Sequence, residues 1–185
     1  MFEIQKIRLR KALEEFEVPE LYNPPMSTYI GLEVGGFCIA GGAITSLFSN
    51  QPINDLDIFC DSYQISKALE TYLTQNKFDS YKIIFRSMNA VTYRNPRGKV
   101  IQVIQKFIGT PTHKLLEKFD FTICQCLYDP EWKEFFHEEN FLPDLARRSL
   151  VFNPLTTSPL TTLLRVKKYL ERGYTISPTE IIKIG

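Results

Sequence analysis

One stretch, residues 38–61 with the sequence CIAGGAITSLFSNQPINDLDIFCD, constrains the fold more than any other part of the chain. The apolar run 34–40 reads as a buried strand that stops at Gly41-Gly42, because two glycines break the run and permit a sharp turn. Residues 43–48 then fit a short helix, 49–52 a loop, and Asp55–Cys60 a second strand. In that strand, period-2 geometry sends Leu56 and Ile58 to one face and Asp55 and Asp57 to the other. Two carboxylates side by side near an apolar core repel each other unless a cation lies between them, and a hard divalent ion such as magnesium accepts carboxylate oxygens readily.

Taken alone, an Asp-x-Asp pair is also what a strand end followed by a solvent-facing acid looks like, and a Gly-Gly pair is most often a tight turn. Together they say more. Gly42 and Asp55 lie 13 positions apart, joined by one short helix and a loop. At a strand-to-helix turn made of glycine, bare backbone amides can meet phosphate oxygens. On these residues the chain resembles the nucleotidyltransferase superfamily that includes DNA polymerase beta, the CCA-adding enzymes and the minimal bacterial and phage nucleotidyltransferases. Their shared pattern is an apolar residue, Gly-Gly or Gly-Ser, a short helix, and a strand bearing two acids separated by one residue.

The resemblance implies a third acid on a neighbouring strand, and the run 118–129, KFDFTICQCLYD, supplies Asp120 at the head of what reads as a strand over 119–128. It implies metal-dependent transfer of a nucleoside monophosphate, adenylyl or other, from a nucleoside triphosphate to an acceptor hydroxyl. Two Mg2+ ions would be held by Asp55, Asp57 and Asp120, and Gly41 and Gly42 would offer backbone donors to the phosphates. Members often carry Ser after the glycine pair to touch the triphosphate; this chain has Ala43, which leaves Thr45 or Ser46 to make that contact. The acceptor is left open by the sequence: RNA, a protein side chain, a small molecule or a second nucleotide. The alternative is a binding or regulatory module, antitoxin-like, that keeps the fold with little catalysis.

The rest of the chain is consistent with such a domain. Residues 2–17 place Ile4, Ile7, Leu13 and Phe16 on one helix face, and after Ser62 the residues Ile65, Ala68, Leu69, Tyr72 and Leu73 follow the spacing of a buried helical stripe. Strands are expected over 81–86, 90–94 and 100–107, the last two joined by the turn Asn95-Pro96-Arg97-Gly98. Thr110-Pro111 opens a helix running to Lys118, and the remainder reads as mostly helical. Ser158-Pro159 opens a final amphipathic helix that stops at Gly173. On it Leu160, Leu163, Val166 and Leu170 form an apolar stripe expected to dock on the sheet, while Arg165, Lys168 and Arg172 form a basic stripe expected to overlook the cleft and bind triphosphate or RNA.

With 185 residues, the expectation is one α/β (α+β) domain over 1–185, a mixed sheet flanked by helices, with a catalytic core over about 30–130 and a helical portion over about 131–185. A formal charge of +1 excludes a global field that draws the chain onto nucleic acid, so any polyanion site is local. No stretch is long and apolar enough to span a membrane and the first residues are charged, which points to a cytoplasmic protein. Cys38, Cys60, Cys124 and Cys126 sit in apolar runs without zinc-ligand spacing and read as buried free thiols, with Cys124 and Cys126 on one strand face.

Overall fold

The structure, a computed structural model, describes residues 2–22, 36–75, 81–156 and 159–184, apart from the side chains of 112–113 and 159–160. The expected loop at Asn23-Pro24-Pro25, the first residues of the 34–40 run and the Ser158 cap lie outside the described residues. Helix α1 (Phe2–Glu15) leads to β1 (Phe37–Ala40), α2 (Gly42–Phe48), β2 (Asp55–Cys60) and α3 (Tyr63–Gln75). Then come β3 (Lys82–Arg86), β4 (Ala90–Arg94), β5 (Val100–Ile104) and the short α4 (Thr112–Leu115). Beyond it lie β6 (Cys126–Asp129), β7 (Glu134–His137), α5 (Phe141–Arg147) and β8 (Ser149–Leu150). The chain finishes with α6 (Pro159–Leu170), β9 (Thr175–Ile176) and α7 (Pro178–Ile184).

Seven strands form one mixed sheet in the order β3-β4-β5-β2-β1-β6-β7, and β8 and β9 make a separate two-stranded ribbon. Only β2 and β5 run parallel in the large sheet; the other neighbours are antiparallel. The α/β (α+β) expectation holds: a mixed sheet flanked by helices. Strict alternation along β2 splits the core in two. Leu56 and Ile58 belong with Leu9, Leu13, Ile44 and Leu69 under α1, α2 and α3, while Phe59 belongs with Leu116, Phe119, Phe121 and Tyr169 on the opposite side. Asp55 and Asp57 share the second side with Phe59, so the acids stand on the face covered by the later part of the chain.

Three local expectations change. The 119–128 run is not one strand. Phe121 makes a lone bridge to Phe152, Thr122 N–H donates to Val151 and Asn153 N–H donates to the Asp120 carbonyl. A 3-10 turn over Thr122–Cys124 then redirects the chain into β6. These bonds tie 120–122 to the 151–153 segment rather than to the sheet, so Asp120 lies ahead of β6 and not on it. The turn also separates Cys124 and Cys126 into the two different core clusters, although all four thiols are free and buried as expected.

Secondly, β7 adds a strand to the large sheet within the stretch expected to be mostly helical. Thirdly, two helices bury other faces than expected. On α1, Ile4 and Ile7 are exposed and Gln5, Leu9 and Leu13 are buried, because Leu9, Leu13 and Phe16 define a continuous i, i+4, i+7 face that the isoleucines lie off. On α6 the leucines face solvent, Leu164 at 75% exposure, and the buried residues are Thr162 and Tyr169; the Leu160 side chain is among those not described.

Candidate active site

A cleft opens on the face of the sheet that carries the two acids. Gly41, Gly42, Asp55, Asp57, Gln102, Asp120, Arg165 and Lys168 all line it, together with Lys106, Lys118 and an aromatic wall of Phe59, Phe107 and Phe119. The sheet register explains the arrangement. Asp57 pairs with Ala40 at the end of β1, immediately before the glycines, and with Gln102 on β5. Directly paired residues point to the same face of a sheet, so Asp57, the glycine turn and Gln102 converge on one spot.

Gly41 has φ 74° and forms the N-cap of α2, a conformation that L side chains adopt at a cost. A Cβ there would come within 3.2 Å of the Phe119 ring and 3.4 Å of Asp57 Oδ2. Gly42 differs, since a Cβ would meet nothing closer than the Tyr169 hydroxyl at 3.9 Å. Of the two glycines, the first is required by both backbone and space.

Asp57 is desolvated, and burial together with the neighbouring Asp55 pushes its carboxyl up to about 6, with Arg165 and Lys168 pulling the other way. A carboxylate pair whose charge is so poorly compensated by protein groups is a ready place for a cation, and the oxygen-only donor set suits a hard divalent ion. The Asp55 and Asp57 pair therefore fits magnesium.

Asp120 is differently engaged. It is 4% exposed, and its Oδ1 lies 2.8 Å from Arg165 Nη1. Burial raises its pKa against the pull of Arg165. Among the described residues no three His, Cys, Asp or Glu side chains converge as a metal-binding group. The structure thus brings Asp120 to the same cleft as Asp55 and Asp57 without gathering the three as one ligand set.

Arg165 is braced from behind. Its Nη2 donates to Cys124 Sγ at 3.4 Å and to the Tyr169 hydroxyl at 3.5 Å, and those two groups are 3.0 Å apart. Tyr169, 1% exposed, packs edge-on against Phe121 and Tyr174. This polar cluster, with Tyr169 and Val166 packed on the core, seats α6 in place of the leucines. It turns Arg165 and Lys168 toward the cleft, whereas Arg172, expected on the same stripe, donates to Ser46. Thr45 is not at the cleft. It is buried on the inner face of α2, its hydroxyl bonded to the Ile123 and Gly41 carbonyls, and Ser46 is buried too and accepts from Arg172. Neither hydroxyl lines the cleft, because Thr45 is taken up by the Gly41 and Ile123 carbonyls and Ser46 by Arg172. Gln102, Lys106, Lys118 and Phe119 went unnoticed in the sequence. Gln102 alone had a signal, as the polar position in the alternation VIQVI.

A mixed sheet with two acids on one strand, set beside a Gly-Gly turn and a short helix, is a nucleotidyltransferase fold. Solved structures agree: the fold is similar to the Thermotoga maritima CCA-adding enzyme complexed with tRNA (TM-score 0.63, 14% identity, 89% of this chain and 39% of that one). It is also similar to a CCA-adding enzyme in complex with ATP (TM-score 0.66, 15% identity, 94% of this chain and 44% of that one). The chain belongs to the Gabija anti-defense 2 family, whose profile matches residues 3–148. A relative named Gabija anti-defense 2, from Bacillus phage SPbetaL7, is 34% identical over 176 residues, covering 92% of this chain and 42% of the relative. The chain spans less than half the length of these relatives. Among the described residues no helix is long and apolar enough to cross a membrane.

Proposed function

We propose that the cleft binds a nucleoside triphosphate with magnesium and transfers its nucleoside monophosphate to an acceptor hydroxyl. The observation that carries this reading is the placement of Asp55 and Asp57 beside a bare glycine turn, facing Arg165 and Lys168 across one cleft. Asp55 and Asp57 would hold the metal, which when bound neutralises phosphate charge and lowers the pKa of an attacking hydroxyl. Gly41 leaves the backbone uncovered where the phosphates approach. Arg165, fixed by Asp120, and Lys168 would bind the phosphates and hold them against the strand. In the reaction a bond forms between the acceptor oxygen and the α-phosphorus, the α-phosphorus bond to the bridging oxygen breaks, pyrophosphate leaves, and the hydroxyl proton passes to solvent.

The name of the phage relative supports a biological setting, antagonism of the Gabija defence, in which the acceptor would be RNA, a protein or a small molecule of the defended cell. The alternative, a regulatory module that binds nucleotide without transferring it, is favoured by one observation, the engagement of Asp120 with Arg165 instead of with the acid pair. Incubation with each α-labelled triphosphate, magnesium and a cell extract separates the two. Label moving to an acceptor with release of pyrophosphate supports transfer; triphosphate binding without label transfer supports the module; neither outcome would remove the nucleotide reading altogether.

A further inference from the structure

The strand that flanks β2 on the side away from β1 is β5, and its Gln102 stands directly beside Asp57 in the parallel register. Both side chains reach the cleft. Neighbouring strands are roughly 4.8 Å apart, so a carboxylate at 102 would complete a group of three acids with Asp55 and Asp57. The chain places a neutral amide there. Asp120, the remaining acid of the cleft, is committed to Arg165 at 2.8 Å, and no three-acid group exists among the described residues.

We infer that Gln102 occupies, without ligating, the place beside the acid pair where a third carboxylate would stand, so that the chain itself grips one divalent ion through two carboxylates and supplies no third charge for a second. This deepens the nucleotide reading and rests on it for the identity of the ligand. The electrostatics of the cleft give the neutral residue a reason. Asp57 is already desolvated beside Asp55, and a third carboxylate one strand away would add a like-charge repulsion to the empty site. Without it, Lys106, Lys118, Arg165 and Lys168 outnumber the acids of the cleft, leaving a positive balance for a polyphosphate. A second ion would then come with the ligand and be held by its phosphate oxygens.

Manganese supplies the probe, because the paramagnetic signal of the free ion reports binding to the intact chain without any turnover. Gln102→Glu is expected to tighten Mn2+ binding by about tenfold or more, and Gln102→Ala to leave it within about threefold of the wild type. No tightening in Gln102→Glu, with folding verified by circular dichroism and repeated in Gln102→Asp, would overturn the inference. So would a tenfold loss in Gln102→Ala, since the amide would then itself be a ligand on the order of a carboxylate. Calorimetry of a non-hydrolysable ATP analogue in magnesium tests the underlying reading separately. If the wild type takes up no analogue while Gln102→Glu still tightens Mn2+, the nucleotide reading fails and the third-position assignment stands.

Discussion

At the scale of single residues, Asp57 joins stability to function. Its carboxyl is pushed up to about 6 by burial and by Asp55, so the folded chain holds this proton more tightly than the unfolded chain does. The stability contributed by Asp57 is therefore complete below its unfolded pKa, about 4, and is lost as pH rises through about 6. Asp57→Asn is expected to stabilise the metal-free protein at pH 7 by on the order of 1–2 kcal/mol, with the gain vanishing toward pH 4 and with nucleotidyl transfer abolished. Thermal melts across that pH range check the first part and pyrophosphate release the second. Gly41 belongs to the same scale. With φ 74° and the Phe119 ring 3.2 Å from any added Cβ, Gly41→Ala should cost about 1–3 kcal/mol. Gly42→Ala should fold normally, a contrast that urea titration resolves.

At the scale of elements, α6 is held by the buried Tyr169 and the polar groups around it and not by its exposed leucines. Tyr169→Ala should destabilise by about 3–5 kcal/mol, as for other buried aromatics, whereas Leu164→Gln should change stability by less than about 0.5 kcal/mol. Arg165→Ala removes the partner of a buried carboxylate and should cost about 3 kcal/mol at pH 7. Because Asp120 titrates above its usual range, that cost shrinks as pH falls and the orphaned carboxyl protonates. Denaturant curves at two pH values measure it. Lys168, also facing the cleft but free of this cluster's packing, is the better probe of ligand binding.

At the scale of the whole molecule, the sheet, the glycine turn and α6 all line the cleft, so a ligand there touches three parts of the chain at once. Magnesium with ATP at a hundredfold excess over its dissociation constant should stabilise the protein by about 2.7 kcal/mol, and neither component alone should do as much. Phosphate contacts to Lys168 and the other cleft lysines weaken as salt screens them. The gain should accordingly fall with ionic strength, and less steeply in Lys168→Ala, as differential scanning fluorimetry can show.

The sequence alone determined what depends on short-range periodicity. Alternation in NDLDIF put two acids on one face of β2, Gly-Gly stopped β1, and the hairpin of β4 and β5 followed from its turn, because such patterns are set by neighbouring φ and ψ angles and side-chain volume. Arg165 and Lys168 were legible as one helical face for the same reason. What the sequence did not contain was which face of a helix wins when more than one can be buried. Ile4 and Ile7 on α1 and Leu163 and Leu170 on α6 are at least as apolar as the residues buried in their place. Only tertiary structure decided for the Thr162, Arg165 and Tyr169 side, because Asp120, Cys124 and Phe121 had to arrive from elsewhere in the chain to satisfy it. The same long-range pairing, between 120–122 and 151–153, removed Asp120 from the sheet and set it against Arg165, and the parallel register of β2 with β5 put Gln102 beside Asp57. Pairings between distant segments rest on backbone hydrogen bonds that every residue can make, and so leave little trace in the order of side chains.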